Sequence, residues 1–328
     1  MKATSLGIGY SLPDNILSNL DLEKMVNTSD SWIVERTGIR ERRIVGSGIK
    51  NSDLSAEAAR LALQDAGIDP LQLDLIIVGT ATPDMPFPST ACIIQSLLGA
   101  KNAAAFDLQA GCTGFIYALS VAEKFLLSPE YNYVLVVGCD IVSSVIDYTD
   151  RNTCILFGDG AGAMVLGKSP GENGILATSL GAEGAGAGLL YMPAGGSALP
   201  ATSETVEKRL HYLRMSGNDI FKFATKIIPE VSEELLRKTG LTYADIDIFV
   251  PHQANLRIIQ SATRRMKFPM DKVVINLDTC GNISAGSIPV ALAQYNEENP
   301  IKRGANILMV AFGTGLTYGG AILRWGKD

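Results

Sequence analysis

The sequence predicts an α/β protein built from two similar halves. Two observations carry that reading. Short apolar, β-branched runs alternate with helix-like patterns along the whole chain. The alternation then repeats at one spacing. "LALQDAGIDPLQLDLII" (61–77) matches "ELLRKTGLTYADIDIFV" (234–250) without gaps, so Gly67 falls on Gly240 and Asp74 on Asp247, an offset of 240 − 67 = 173. "VLVV" (134–137) falls on "ILMV" (307–310) at the same offset, and "AFDL" (105–108) resembles "INLD" (275–278) at a slightly shorter one. A constant offset across separate elements marks an internal duplication. The halves are placed at 1–172 and 173–328, joined through a Gly-rich stretch near 170–210 that reads as loops.

The elements follow in order. "LDLIIVGTA" (73–81), "YVLVVGCD" (133–140), "IDIFVPH" (246–252) and "NILMVAFG" (306–313) are continuous apolar runs, the pattern of strands buried on both faces. "SAEAARLALQDAG" (55–67) and "VSEELLRKTG" (231–240) read as helices stopped by Gly. "FGDGAGAMVLG" (157–167) has glycines at 158, 160 and 162, which fit neither G-x-x-x-x-G-K-[ST] nor G-x-G-x-x-G. It reads as a tight turn leading into a strand.

Composition narrows the function. The 328 residues, 47% hydrophobic and 19% charged, suffice for a large packed core. A net charge of −6 argues against a nucleic-acid binder. No apolar run reaches the length of a membrane span, so no membrane association is expected. The N-terminus "MKATSLGIGYSLPDN" lacks a signal-peptide apolar region, so a cytoplasmic protein with free thiols is expected. Five cysteines (92, 112, 139, 154 and 280) without a CxxC pair, and only two histidines, predict no metal site.

One thiol stands apart. In "DLQAGCTGFIYAL" (107–119), Cys112 sits where a loop becomes a helix. The positive end of a helix dipole favours thiolate there, and the Cys112 N–H could serve an oxyanion. An inert buried thiol is the competing reading, and it is adopted for Cys92, Cys139 and Cys154. His252 in "FVPHQANLRII" follows a strand, where α/β sites cluster, although a lone His is commonly structural. Asn282 in "GNISAGSIPVAL" lies near position 285, the duplicate of Cys112 at the 173 offset. It could begin the matching helix, or be a turn or cap residue. His211, in "EKRLHYLRM", reads as a surface residue. Arg257, Arg264 and Arg265 share one face of a helix, opposite Leu256, Ile259 and Met266. That basic stripe is either a docking face for an acidic partner or an ordinary solvated face.

The whole chain resembles the β-ketoacyl-acyl carrier protein synthase III family of condensing enzymes. The resemblance rests on "DSWIVERTGIRERR" (30–43), "AGCTGFIYAL", "RNTCILFGDGAGAMVL" (151–166), "PHQANLRII" and "GNISAGSIPVAL". It implies the thiolase-like fold, two duplicated α/β halves in five α-β-α-β-α layers, with the nucleophile on the first half and the His and Asn on the second. It implies a Cys112–His252–Asn282 triad. The cysteine would take an acyl group from acyl-CoA, by family frequency acetyl. Malonyl-acyl carrier protein would then lose CO2, and its carbanion would attack the thioester to give 3-ketoacyl-acyl carrier protein. His252 and Asn282 would stabilise the enolate.

The same resemblance assigns CoA binding to Trp32 and Arg151 around the adenine, with Arg36, Phe221, Asn255 and Phe312 along the tunnel. Thr314 would supply a second oxyanion amide beside that of Cys112. Phe87 would reach the acyl pocket of a partner subunit, which implies a homodimer. The basic stripe, with Lys222, would dock the carrier protein. Acyl-CoA is a substrate here, and no cofactor is implied. Related readings are a polyketide- or alkylquinolone-type condensing enzyme and a non-catalytic carrier-binding partner. Thiolase is disfavoured because Cys280 lies in "DTCGN", outside a thiolase motif, and hydroxymethylglutaryl-CoA synthase because no glutamate base can be placed.

Overall fold

The computed structural model describes residues 2–327. Its first sheet contains β1 (Lys2–Ser11), β2 (Leu75–Gly79), β3 (Ala104–Leu108), β4 (Tyr133–Ile141) and β5 (Asp159–Ser169), in the order β1-β5-β4-β2-β3. Its second contains β6 (Gly174–Ala182), β7 (Ile248–Pro251), β8 (Asn306–Gly313) and β9 (Thr317–Arg324), in the order β7-β8-β9-β6. The central pairs β2–β4 and β7–β8 are parallel, and every pair from there to β1 or β6 is antiparallel. The two sheets thus share one topology.

Apolar faces set the layers. Helices α2 (Asn51–Ala66) and α3 (Thr90–Leu98) cover the outer face of the first sheet through Ala58, Ala62 and Ile94. Helices α5 (Gly217–Thr239) and α6 (Leu256–Met266) cover the second through Ile228, Leu235 and Ala262. Between the sheets lie α4 (Gly114–Leu127) and α7 (Ser287–Glu298), with Ile116, Leu119, Ile288 and Leu292 in the central core. The order is helix, sheet, helix, sheet, helix. Strands covered on both faces explain the continuous apolar runs of β2 and β4. Gly67 and Gly240 cap α2 and α5 in the left-handed conformation, where glycine carries no Cβ penalty.

The duplication survives in the coordinates. α4 begins at Gly114 and α7 at Ser287, and 287 − 114 = 173. The 3-10 turn before each, Gly111–Thr113 and Ser284–Gly286, keeps the same spacing. Three sequence expectations change. The Gly-rich stretch near 170–210 holds a long strand, β6, because its small residues lie at the sheet edge against β9. The strand expected after the turn in 157–167 is β5, and it begins already at Asp159, so Gly160 and Gly162 belong to it rather than to the turn: a Cβ there would press on Ile283 or on Pro289 of α7. The match of 105–108 to 275–278 is not structural. Val273 makes only a single bridge to Phe249, and Leu277–Cys280 coils into a short helix.

Close approach of the inner turns to the first sheet depends on glycine. A Cβ at Gly138 would overlap the Ala285 carbonyl oxygen and meet Phe115 Cβ at 3.0 Å, and a backbone carbonyl cannot swing away. Gly138→Ala is therefore expected to lower stability by about 1–3 kcal/mol, read as a lower urea midpoint. Gly184→Ala, which meets nothing, is expected to stay within about 0.5 kcal/mol.

Candidate active site

The site lies where the inner turns meet the ends of β4 and β8. Cys112 is buried in the 3-10 turn that precedes α4. Gly313, the last residue of β8, packs on it: a Cβ there would stand 2.7 Å from the Cys112 amide nitrogen. Gly111 has φ +54°, and a Cβ there would overlap Thr314 Oγ1. The turn after β8 is fixed to the cysteine turn by hydroxyls. Thr113 Oγ1 donates to Ala110 O at 2.6 Å, and Thr317 Oγ1 lies 2.8 Å from both Ala110 O and Thr314 O. Thr314 N lies against the same turn, 3.0 Å from where a Cβ on Gly111 would stand.

A cavity of about 760 Å³ opens onto Cys112, Ser284, Thr314 and Asp140. Val142, Val145, Phe157, Leu190 and Leu213 give it an apolar wall, and Thr80, Thr82 and Asp107 a polar one. His252 enters from the end of β7. Its N–H bonds to Val310 O of β8 at 2.8 Å, and its ring stands edge-on to Phe312, centroids 5.4 Å apart. Asn282 pairs with the segment before β5: Asn282 N donates to Leu156 O (2.9 Å), and Gly158 N to Asn282 O (3.0 Å). Its Oδ1 accepts the Ser284 amide at 2.8 Å. Asn282 thus precedes the turn before α7 rather than starting that helix, and Ala285 is the true counterpart of Cys112.

Burial, not the helix dipole, dominates the thiol. Burial pushes Cys112 up to about 12, further raised by the Asp140 charge and partly offset by a hydrogen bond from Ser284. The expected resting thiolate is therefore corrected to a resting thiol: a dipole worth about 1 kcal/mol cannot match that desolvation. Burial holds His252 down to about 3, so the imidazole is neutral at pH 7. Its Nδ1 is buried without a protein partner. A neutral ring can donate a hydrogen bond without carrying charge.

Residues that sequence reasoning missed are Asp140 and Ser284. Asp140 is wholly buried. One oxygen accepts from Ala81 N (2.7 Å), Thr82 N, Thr82 Oγ1 and Thr80 Oγ1 (each 3.0 Å), and the other from Ala285 N at 3.1 Å. An Asp at a strand end carries no motif, so only its buried neighbours reveal it.

A second cluster lies on α1 (Asp30–Thr37) and its neighbours. Arg151 lies over the Trp32 ring, Cζ 4.7 Å from its centroid, and Arg36 approaches the same ring at 5.5 Å. Asn255 caps α6 and donates to Arg36 O at 3.1 Å. Arg151 and Trp32 are in contact, so a base can enter between them only if Arg151 moves: two stacking gaps need roughly 7 Å, and a free guanidinium settles on the indole by cation–π attraction. Phe221 packs half-buried near the start of α5.

The remaining residues divide. Phe87 is 84% exposed, and follows Pro86, which lines the cavity. Arg257, Arg264 and Lys222 are exposed, with Lys222 3.7 Å from Asp219. Arg265 is exposed as well, and it donates to Thr225 O at 2.7 Å, tying α6 to α5. His211 is half-buried, with Nε2 2.9 Å from Thr205 Oγ1, and is not a free surface residue. Cys92 is exposed rather than buried, whereas Cys139 and Cys154 are buried.

The neutral histidine sets a pH signature. Below about 6.5 an unfolded chain protonates this imidazole, while the fold holds it neutral to about 3. The unfolded state then binds more protons, so stability falls as pH drops through that window. Relative to His252→Asn, the parent is expected to lose about 1.4 kcal/mol per pH unit between pH 6 and 4, measured by urea unfolding.

Comparison with known proteins agrees with this geometry. Residues 106–184 match the family model described as 3-oxoacyl-[acyl-carrier-protein (ACP)] synthase III, and residues 236–325 match its C-terminal model. The chain is 61% identical over 328 residues to a β-ketoacyl-[acyl-carrier-protein] synthase III of Syntrophomonas wolfei, covering 100% of this chain and 99% of that one. The same-named protein of Caldanaerobacter subterraneus is 54% identical over 327 residues, with the same coverage. The crystal structure of 3-oxoacyl-[acyl-carrier-protein] synthase III from Aquifex aeolicus superposes with a TM-score of 0.91 at 44% identity, covering 98% of this chain and 100% of that one. The five layers are those of the thiolase-like fold. A duplicated frame shared end to end with such relatives places this chain in the β-ketoacyl-[acyl-carrier-protein] synthase III family, the condensing acyltransferases that initiate fatty acid synthesis.

Proposed function

We propose that Cys112 accepts the starter acyl group, acetyl by preference, from acyl-CoA, and that His252 and Asn282 direct its condensation with malonyl-acyl carrier protein. The observation that carries this is the cavity of about 760 Å³ that ends on Cys112 and Thr314. The thiol attacks the CoA thioester, CoA leaves as its thiol, and the acyl oxygen rests against the amides of Cys112 and Thr314. The malonyl carboxylate then leaves as CO2. His252 and Asn282 donate to the thioester oxygen of the resulting enolate; its carbon attacks the acyl-cysteine, the C–S bond breaks, and the Cys112 sulfur leaves and takes up a proton to restore the thiol. No step calls on a cofactor or a metal. Among the described residues no helix is long and apolar enough to cross a membrane, and cytoplasmic action follows from that substrate set.

The supporting surfaces have the matching chemistry. Trp32, Arg36 and Arg151 offer a ring and two cations to an adenine nucleotide bearing phosphates. In the same reading Asn255, Phe221 and Phe312 are assigned to the CoA path between that cluster and Cys112. Arg257 and Arg264, with Lys222 nearby, face solvent and suit an acidic carrier protein. The edge strand β3 and the protruding Phe87 suit a homodimer in which the ring enters the partner's acyl pocket. In that dimer the two halves divide at 172/173.

Intact mass after brief exposure to acetyl-CoA is expected to show one acetyl adduct, absent in Cys112→Ser. His252→Ala and Asn282→Ala should still acylate but lose condensation by about 10²–10³-fold. Turnover with malonyl-CoA in place of the carrier-bound form would instead indicate polyketide-type chemistry, and no adduct from any acyl-CoA in folded protein would indicate a non-catalytic partner.

A further inference from the structure

The turn before α7 is held by side-chain caps. Ile283 N donates to Ser287 Oγ (3.1 Å), Ser284 N to Asn282 Oδ1 (2.8 Å) and Ala285 N to Asp140 Oδ2 (3.1 Å). The first two acceptors belong to the turn and its helix. Asp140 comes from the other half, near the end of β4. Ser284 is left-handed, at φ +52°, a conformation that a serine keeps only where its surroundings fix it. The two amides that bracket it are the ones bonded to Asn282 and Asp140.

We propose that Asp140 is a positioning residue for Asn282: by holding the Ala285 amide it keeps Ser284 left-handed, and so keeps the Asn282 carboxamide turned with its NH2 free for the extender thioester. The inference rests on Asn282 acting on the enolate, as proposed above. The Asn282 main chain is secured separately, through Leu156 O and Gly158 N. Its side chain is not. Among the described residues, Oδ1 is held by the Ser284 amide alone. That bond uses the carbonyl end of the carboxamide, so only the NH2 end is left to donate to a substrate oxygen. Once Ser284 relaxes, its amide leaves Oδ1 and the carboxamide is free to turn over.

Asp140 is itself firmly held. It is wholly buried, and its other oxygen accepts from Ala81 N (2.7 Å) and from Thr82 N, Thr82 Oγ1 and Thr80 Oγ1 (each 3.0 Å). Asn51 Nδ2 backs that loop, donating to Thr80 Oγ1 and Thr82 O at 3.0 Å. A carboxyl oxygen accepts the Ala285 amide whether or not the group carries a proton, so the role does not depend on charge. An asparagine of the same size cannot fill it. The amides of Ala81 and Thr82 claim its one oxygen, which leaves its NH2 against the Ala285 N–H, donor facing donor.

The test is a double-variant cycle on the full-length protein: Asp140→Asn, Asn282→Ala and the two together. Each is assayed for acetylation of Cys112 by intact mass and for condensation with malonyl-acyl carrier protein. Asp140→Asn should acetylate no more slowly than the parent but condense about 10²-fold more slowly, so that acetyl-enzyme accumulates during turnover. The double variant should condense no more slowly than Asn282→Ala, because Asp140 acts through that side chain. Condensation by Asp140→Asn at the parent rate, or penalties that multiply in the double variant, overturns the proposal. Asn282→Ala condensing at the parent rate would overturn the reading of Asn282 on which the proposal rests. Where Asp140→Asn does not fold, amide exchange in the parent protein decides. The Ala285 amide should then exchange more slowly than that of Cys112, by about tenfold, and equal exchange overturns the proposal.

Discussion

Everything in the site depends on how closely two turns can approach two strand ends. The inner helices α4 and α7 enter the space between the sheets through tight 3-10 turns. Those turns press directly on backbone at Gly79, Gly138 and Gly313, where a Cβ would collide with Gly114, Ala285 and Cys112. The contact places a cysteine from the first half beside a strand end from the second. It also buries the thiol and the imidazole, and burial then fixes both as neutral groups at rest. The geometry of the fold thereby determines the starting protonation state of the reaction.

The duplicated halves have diverged where chemistry needs it. At one offset, Cys112 stands opposite Ala285, Gly313 opposite Asp140, and Gly79 opposite His252. In the second half the Ala285 amide is capped by a carboxylate oxygen of Asp140. In the first half the equivalent amide, that of Cys112, faces a glycine with no side chain to cap it. One copy of the turn thus holds a carboxyl oxygen of the protein itself. In the proposed function the other offers the same amide to a substrate oxygen. A symmetric frame yields an asymmetric site by exchanging single residues at matched positions.

Much of this was legible in the sequence. The 173-residue repeat, the buried strands and the Gly-capped helices follow from periodicity, which is a local property. Cys112 and His252 stood out because each sits at a change of secondary structure. What was not legible required knowing what lies across the core. The strand start in 157–167 was placed too late because the helix that forbids a side chain at Gly162 is over a hundred residues away. The state of the thiol was misjudged because a dipole can be read from a helix start, whereas desolvation belongs to the whole fold. Asp140 and Ser284 have no sequence signature, and their importance emerges only from shared neighbours.

The central claim is that the Cys112 turn, unlike its counterpart at Ala285, is open to receive an oxyanion. A crystal structure of the protein acetylated by acetyl-CoA tests it most directly. The account predicts acetyl density on Cys112 Sγ, with the carbonyl oxygen within hydrogen-bond distance, about 3 Å, of the backbone amides of Cys112 and Thr314. An acetyl oxygen turned instead towards His252 and Asn282, with both amides unengaged, would contradict it.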